Sequence, residues 1–184
     1  GTFWAFVDLM KRLKASGRLP RIVVLENVVG LLTINGGEEF KAVIAALDRL
    51  GMRAGAVVVD ARHFVPQSRQ RVFIVAVSKS SKIAAELVRE EPHPTWHPDP
   101  LVKAVEKLSR QCREQWMWFN LGGAPEPKKT LNKIVKDKPV GVEWHTPAET
   151  KRLIGMMSDI HKQKLSEAKK SGKRIVGTLS LRMR

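Results

Sequence analysis

Two β-branched runs, Val57-Val58-Val59 and Val72-Phe73-Ile74-Val75, are joined through the short Arg62–Ser68 loop. A parallel pair of strands needs a crossover of about a dozen residues or more, usually a helix. This loop cannot hold one, so the two strands are expected to be antiparallel neighbours. The residues ahead of them alternate between the two regular patterns. Phe3, Phe6, Val7, Met10 and Leu13 recur at helical spacing before Gly17, which predicts a helix over about residues 2–16. Pro20 precedes Ile22-Val23-Val24-Leu25, an unalternated run that predicts a strand covered on both faces and ending at Glu26-Asn27. Gly36-Gly37 opens a second helix, with Phe40, Val43, Ile44, Leu47 and Leu50 on one face and Gly51 behind it. Strands are then expected over Ala54–Asp60 and Arg71–Val77. The order helix–strand–helix–strand–strand describes part of an α/β sheet.

The pattern changes after about residue 79. Lys82–Arg89 reads as a short helix, and Pro92, Pro94, Pro98 and Pro100 as an irregular linker. Val102, Val105, Leu108 and Cys112 predict one helix over Leu101–Trp118, followed by a loop over Gly122–Pro127. Thr146-Pro147 and Ser158-Asp159 open two further helices, over Thr146–Met157 and Ser158–Lys170, and Lys173–Arg184 is expected to start a strand.

Charge points to a polyanionic partner. The chain has 33 basic and 18 acidic side chains, a net +15, and the excess concentrates in residues 145–184, with 10 basic against 3 acidic. Phosphate contacts would use such an excess, while solvated basic helix faces account for it equally well. The single cysteine, Cys112, excludes a disulfide framework and a thiolate zinc site. His93, His97, His145 and His161 are too loosely spaced for a metal centre, so no metal is expected. No apolar run reaches the ~18 residues of a membrane span and no signal peptide opens the chain, so no membrane association and a cytoplasmic, nucleoid-associated location are expected. The opening Gly1-Thr2-Phe3-Trp4 lies inside an amphipathic pattern and lacks Met, the sign of an internal fragment or of one half of a split protein.

Two motifs stand at the expected strand edges: Glu26-Asn27-Val28 after the first strand, and Pro66-Gln67-Ser68-Arg69-Gln70-Arg71 before the last. With Gly1-Thr2-Phe3-Trp4, they make residues 1–79 resemble the catalytic domain of the bacterial DNA (cytosine-5) methyltransferases, through its ENV and QxRxR motifs. Gly141-Val142-Glu143-Trp144-His145-Thr146 and Val176-Gly177-Thr178 are similar to the target-recognition region of one bacterial subgroup. The resemblance implies an α/β fold: the C-terminal half of a Rossmann-like methyltransferase domain with an antiparallel last strand in residues 1–79. A linker and a mainly helical partial target-recognition region would fill residues 80–184. The family's glycine-rich cofactor motif, its Pro-Cys-Gln loop and its late motifs are not in this sequence.

The resemblance also implies a chemistry. Carbon 5 of cytosine is a poor nucleophile, and the family adds a thiolate at C6 before a methyl group passes from S-adenosylmethionine. The base must leave the duplex stack to be reached. Glu26 would then address N3 and the exocyclic amine, and Arg71 would reach O2 with its fixed donor array. Arg69 would steady the catalytic loop or a phosphate, and Gln67 and Asn27 would bond neighbouring backbone. Phe3 would lie against the cofactor, unless it is simply helix core, and Asn27 would also border the cofactor. Glu26 and Arg69 each have a plainer reading, as a strand-end acid and a surface arginine. Cys112 sits at core spacing and is read as an inert buried thiol, and Trp116, Trp118 and Phe119 as packing aromatics. Duplex DNA is the expected substrate, within DNA methylation of the restriction–modification kind. A complementing N-terminal chain, or self-association through a bare first-strand edge, is the expected partner. A non-catalytic DNA-binding or regulatory module and an RNA methylase are the competing readings.

Overall fold

A computed structural model of the chain describes residues 2–126, 131–136, 139–173 and 175. Val176-Gly177-Thr178, and all but two residues of the strand expected over 173–184, lie outside the described residues, as does Gly1. The chain divides into two compact units, Gly1–Pro127 and Lys128–Arg184.

In the first unit, α1 (Thr2–Ala15) leads to β1 (Ile22–Val28), α2 (Glu38–Arg49), β2 (Met52–Asp60) and β3 (Gln70–Ser78). The three strands form one sheet in the order β1-β3-β2, with β3 antiparallel to both neighbours. The short loop between β2 and β3 thus acts as its length requires. Phe40, Val43, Ile44 and Leu47, one stripe of α2, are all buried. They pack on Val72, Ile74 and Ala76 of β3, Ala54, Ala56 and Val58 of β2, and Val23 of β1. Opposite charges support the helix ends, with Glu38 and Glu39 in the first turn and Arg49 in the last. The turn into α2 needs its glycines. Asn35, Gly36 and Gly37 all have positive φ (49°, 68° and 93°), and a Cβ at Gly37 would lie 3.0 Å from the Leu32 carbonyl oxygen.

Burial along β1 differs from the expectation. Val23 is buried, but Ile22 and Val24 are 60% and 59% exposed. Only one face of this strand is covered: Val23 points into the core shared with α2, and Ile22 and Val24 alternate to the opposite face. Among the described residues the strand pairs along one edge alone, with β3. The strand also runs on through Glu26 and Asn27 to Val28, because β3 supplies ladder partners as far as Val28↔Arg71.

The other sheet edge is covered. The expected proline linker contributes Trp96 and His97, only 4% and 2% exposed. The Val58 N–H donates to the Trp96 carbonyl (2.8 Å), and the Met117 N–H to the Ala54 carbonyl (3.1 Å), so backbone groups along the outer edge of β2 are satisfied by irregular chain. Lys82–Arg89 is not a helix but a single 3₁₀ turn (Ala85–Leu87) entering a two-residue strand, β4 (Val88–Arg89), paired with β5 (Trp118–Phe119). The single helix expected over Leu101–Trp118 is two, α3 (Asp99–Glu106) and α4 (Arg110–Glu114). Ser109 causes the break: its hydroxyl accepts from the Cys112 N–H (3.3 Å) and starts a new helix. Cys112 is a buried free thiol in the core, as its spacing indicated. Trp116 packs edge-on against Phe40 and Trp118, with ring centroids 6.0 and 5.7 Å apart.

The second unit has a short helix, α5 (Leu131–Ile134), then α6 (Pro147–Gly155) and α7 (Asp159–Lys170). Thr146 and Glu149 close a capping box on α6, each side chain bonding the other's backbone N–H. None of this unit's described residues is buried. No helix among the described residues is long and apolar enough to cross a membrane.

His97 gives the first unit a pH dependence. Its Nδ1 accepts from the His93 N–H (2.7 Å), and its ring packs edge-on against Trp118 at 5.0 Å. Burial, then the neighbouring His93 and Arg89 charges, lower its pKa from 6.5 to about 4. The unfolded chain takes up this proton near pH 6.5 and the folded chain only near 4, so stability is intact above 6.5 and falls as pH drops through that window. A loss on the order of 2–3 kcal/mol is expected by pH 4 from this group. Urea unfolding at pH 7 and pH 4.5 measures it, and His97→Gln should flatten the difference.

Candidate functional site

Register brings the two sequence motifs together. Arg71 stands opposite Val28, and Glu26 opposite Phe73. Side chains alternate along a strand, so Glu26 and Val28 share a face with Arg71, and Glu26 is its diagonal neighbour. The Arg71 Nε lies 2.9 Å from the Glu26 Oε1. Arg71 also donates from Nη1 to the Gln70 carbonyl (2.8 Å), so the guanidinium is held from two sides. The carboxylate is the more accessible partner, with 55% of the Glu26 side chain exposed against 20% for Arg71. An acid with a free edge beside a braced guanidinium presents a hydrogen-bonding group of either sign to a flat polar ring.

Glu26 lines a cavity of about 640 Å³ that wraps around the open edge of β1. Phe3, Trp4 and Phe6 of α1, together with Leu25, Leu31 and Val43, give it apolar walls, and Glu26, Asn27 and Glu39 give it polar ones. Asn27 points from the opposite face of β1 to Glu26, and its Oδ1 accepts from the Val28 N–H (2.8 Å). Phe3 packs edge-on against Trp4 at 5.2 Å.

Glu39 carries no signal in the sequence beyond its place in the first turn of α2. Its Oε1 accepts from the Asn35 side chain, while Oε2 is buried with no partner among the described residues. A buried carboxylate oxygen on an aromatic cavity asks for a cation or a hydrogen-bond donor.

The QxRxR segment divides. Arg71 reaches Glu26, whereas Arg69 is exposed and engaged through its backbone: its N–H donates to Asp60 Oδ1 (2.9 Å), and its carbonyl accepts from the Ala61 N–H (3.1 Å). Gln67 bonds within the loop through its main-chain N–H, to the Val65 carbonyl (2.7 Å). Asp60, which no motif in the sequence marks, is 6% exposed. Burial alone would raise its pKa, but the Arg62 and Arg69 N–H groups and the Ser68 hydroxyl outweigh burial and hold the carboxyl below its ordinary value. No cluster of metal-ligating side chains occurs among the described residues.

The chain is similar to known proteins along most of its length. A family model described as C-5 cytosine-specific DNA methylase matches residues 1–179. The chain is 26% identical over 181 residues to the Type II methyltransferase M.BsuFI of Bacillus subtilis, covering 83% of this chain and 42% of that protein. It is 39% identical over 164 residues to the Type II methyltransferase M.MspI of Moraxella sp, covering 75% and 38%. A shorter stretch of 59 residues is 44% identical to M.BspRI of Lysinibacillus sphaericus, covering 32% and 14%. The chain thus spans about two fifths of the first two relatives. A sheet edge carrying the acid–guanidinium pair and a family match along nearly the whole sequence lead to one conclusion: the chain belongs to the C-5 cytosine-specific DNA methylase family.

Proposed function

We propose that this chain is the base-binding portion of a DNA cytosine-5 methyltransferase. It holds an extruded cytosine of duplex DNA while a methyl group is transferred to carbon 5. The observation that carries the reading is the Glu26–Arg71 pair, at 2.9 Å, whose acid lines the β1-edge cavity. Glu26 takes the N3 edge of the ring: its carboxyl accepts from the exocyclic amine and, when protonated, donates to N3. Arg71 donates to O2, and its two-sided bracing keeps the donors aimed as charge develops on the ring. Arg69 offers its exposed guanidinium to a backbone phosphate or to the catalytic loop, and Gln67 lies in the same loop.

S-adenosylmethionine would supply an electrophilic methyl group. Phe3 and Asn27 would border it within the cavity, and Glu39 Oε2 would face its positive charge. The attacking sulfur would come from a complementing polypeptide bearing a Pro-Cys-Gln loop, docked on the unpaired edge of β1. Without that polypeptide, the exposed Ile22, Val24 and Val28 would favour self-association through the same edge. In function, residues 1–79 form the partial catalytic domain and residues 80–184 the linker and partial target-recognition region, with the basic helices of the latter facing DNA.

The test is transfer of labelled methyl from S-adenosylmethionine to duplex DNA, by this chain alone and with a polypeptide that carries the Pro-Cys-Gln loop. Transfer only in the mixture is expected. No transfer to DNA in the mixture, with transfer to RNA or to neither, would overturn the reading.

A further inference from the structure

We propose that Asp60 is a positioning residue that ties down the loop end of β3 and so holds the Arg71 guanidinium against Glu26. Its effect on turnover rests on the proposed function, but its effect on Arg71 does not.

The carboxylate closes the neck of the loop from both sides. Oδ1 accepts from the N–H groups of Arg62 (3.0 Å) and Arg69 (2.9 Å). Oδ2 accepts from the Ser68 hydroxyl (2.9 Å) and lies 3.6 Å from the Arg62 Nε. The Ala61 N–H adds a bond to the Arg69 carbonyl (3.1 Å). One buried side chain therefore ties the residues leaving β2 to those entering β3. Asp60 itself stands opposite Gln70, one residue before Arg71.

The face on which Arg71 stands is set by the rest of β3: Val72, Ile74 and Ala76 alternate into the core against α2, so Arg71, next to Val72, lies on the opposite face. The core does not set how firmly the loop end of the strand is held, because Gln70 is exposed and Arg71 half-buried. Slack there would let the guanidinium leave Glu26 without any change of register. The Asp60 carboxylate supplies the missing restraint, and supplies it through acceptor geometry rather than charge. An amide oxygen at the Oδ1 position would keep both backbone bonds.

Three forms of this chain test the inference: wild type, Asp60→Ala and Asp60→Asn. The first readout is solvent exchange of the Arg71 Nε–H by NMR, with the amides of Val72 and Ile74 as controls for the rest of β3. In D60A the Nε–H should exchange at least about fivefold faster while the control amides keep their protection, and D60N should stay within about twofold of wild type. The second readout uses the chain combined with the polypeptide carrying the Pro-Cys-Gln loop. There, D60A should lower kcat about tenfold or more with KM for DNA within about twofold, and D60N should restore most of it. Unchanged Nε–H exchange in D60A, or D60N as impaired as D60A, overturns the inference. Should D60A fail to fold, Asp60→Ser keeps a cap for the Arg62 N–H but is too short to reach the Arg69 N–H as well, and unchanged Nε–H exchange in D60S also overturns it. Faster exchange in D60A together with a combined protein that transfers no methyl group would refute the proposed function and leave the role of Asp60 standing.

Discussion

Glu26→Gln, in the chain combined with a polypeptide that carries the Pro-Cys-Gln loop, is expected to lower kcat by about 10²–10³-fold while DNA binding changes less than about threefold. Glutamine keeps the length and one acceptor oxygen, but it can neither supply a proton to N3 nor carry the charge that orients the guanidinium 2.9 Å away. The loss would not come from unfolding. With 55% of the Glu26 side chain exposed, the ion pair contributes under about 1 kcal/mol to stability, so urea midpoints of wild type and variant should nearly coincide. Arg71→Lys should show a comparable kcat defect, because an ammonium group cannot both donate to Gln70 and hold a planar fork toward O2. Single-turnover methyl transfer at saturating DNA separates this from a binding defect. A rate for Glu26→Gln within threefold of wild type would remove Glu26 from the chemistry.

Gly55→Val should destabilise the first unit by about 3–5 kcal/mol, the range for severe overpacking combined with lost contacts. A Cβ at this position would lie 2.1 Å from the Met117 carbonyl oxygen and 2.7 Å from a ring carbon of Phe119. Neither backbone at this bridge can give way without breaking the 3.1 Å bond from the Met117 N–H to the Ala54 carbonyl. Separation there would expose Met117, now 6% accessible, and loosen the Trp116–Phe40 contact. Urea unfolding followed by tryptophan fluorescence reads both the stability and the release of Trp116 and Trp118. A loss below 1 kcal/mol would mean that the segment after α4 is not packed on β2.

Much of the fold was legible because its signals are local. The stripe Phe40–Leu47 declares α2 through helical spacing, Thr146-Pro147 and Ser158-Asp159 declare the starts of α6 and α7, and a loop too short for a crossover declares the antiparallel β2–β3 pair. The failures lie where distant chain decides. The helical spacing of Val102 to Cys112 continues across Ser109, yet the Ser109 cap ends one helix and starts the next. The prolines between residues 92 and 100 advertise a linker, but Trp96 is buried because β2 has an edge that needs a partner.

The functional site divides in the same way. Residue type and order along the chain, which belong to the sequence itself, were enough to single out Glu26, Arg69 and Arg71 as candidates and to indicate the family. They could not place Glu26 within a strand rather than at its end, put Glu26 and Arg71 on one face, or reveal that Asp60 ties the loop and that Glu39 turns an unpaired oxygen into the cavity. Helices and turns depend on neighbours a few residues apart, so the sequence states them directly. Register and cavity lining depend on hydrogen bonds between strands tens of residues apart, and a one-residue shift there reverses which side chains meet.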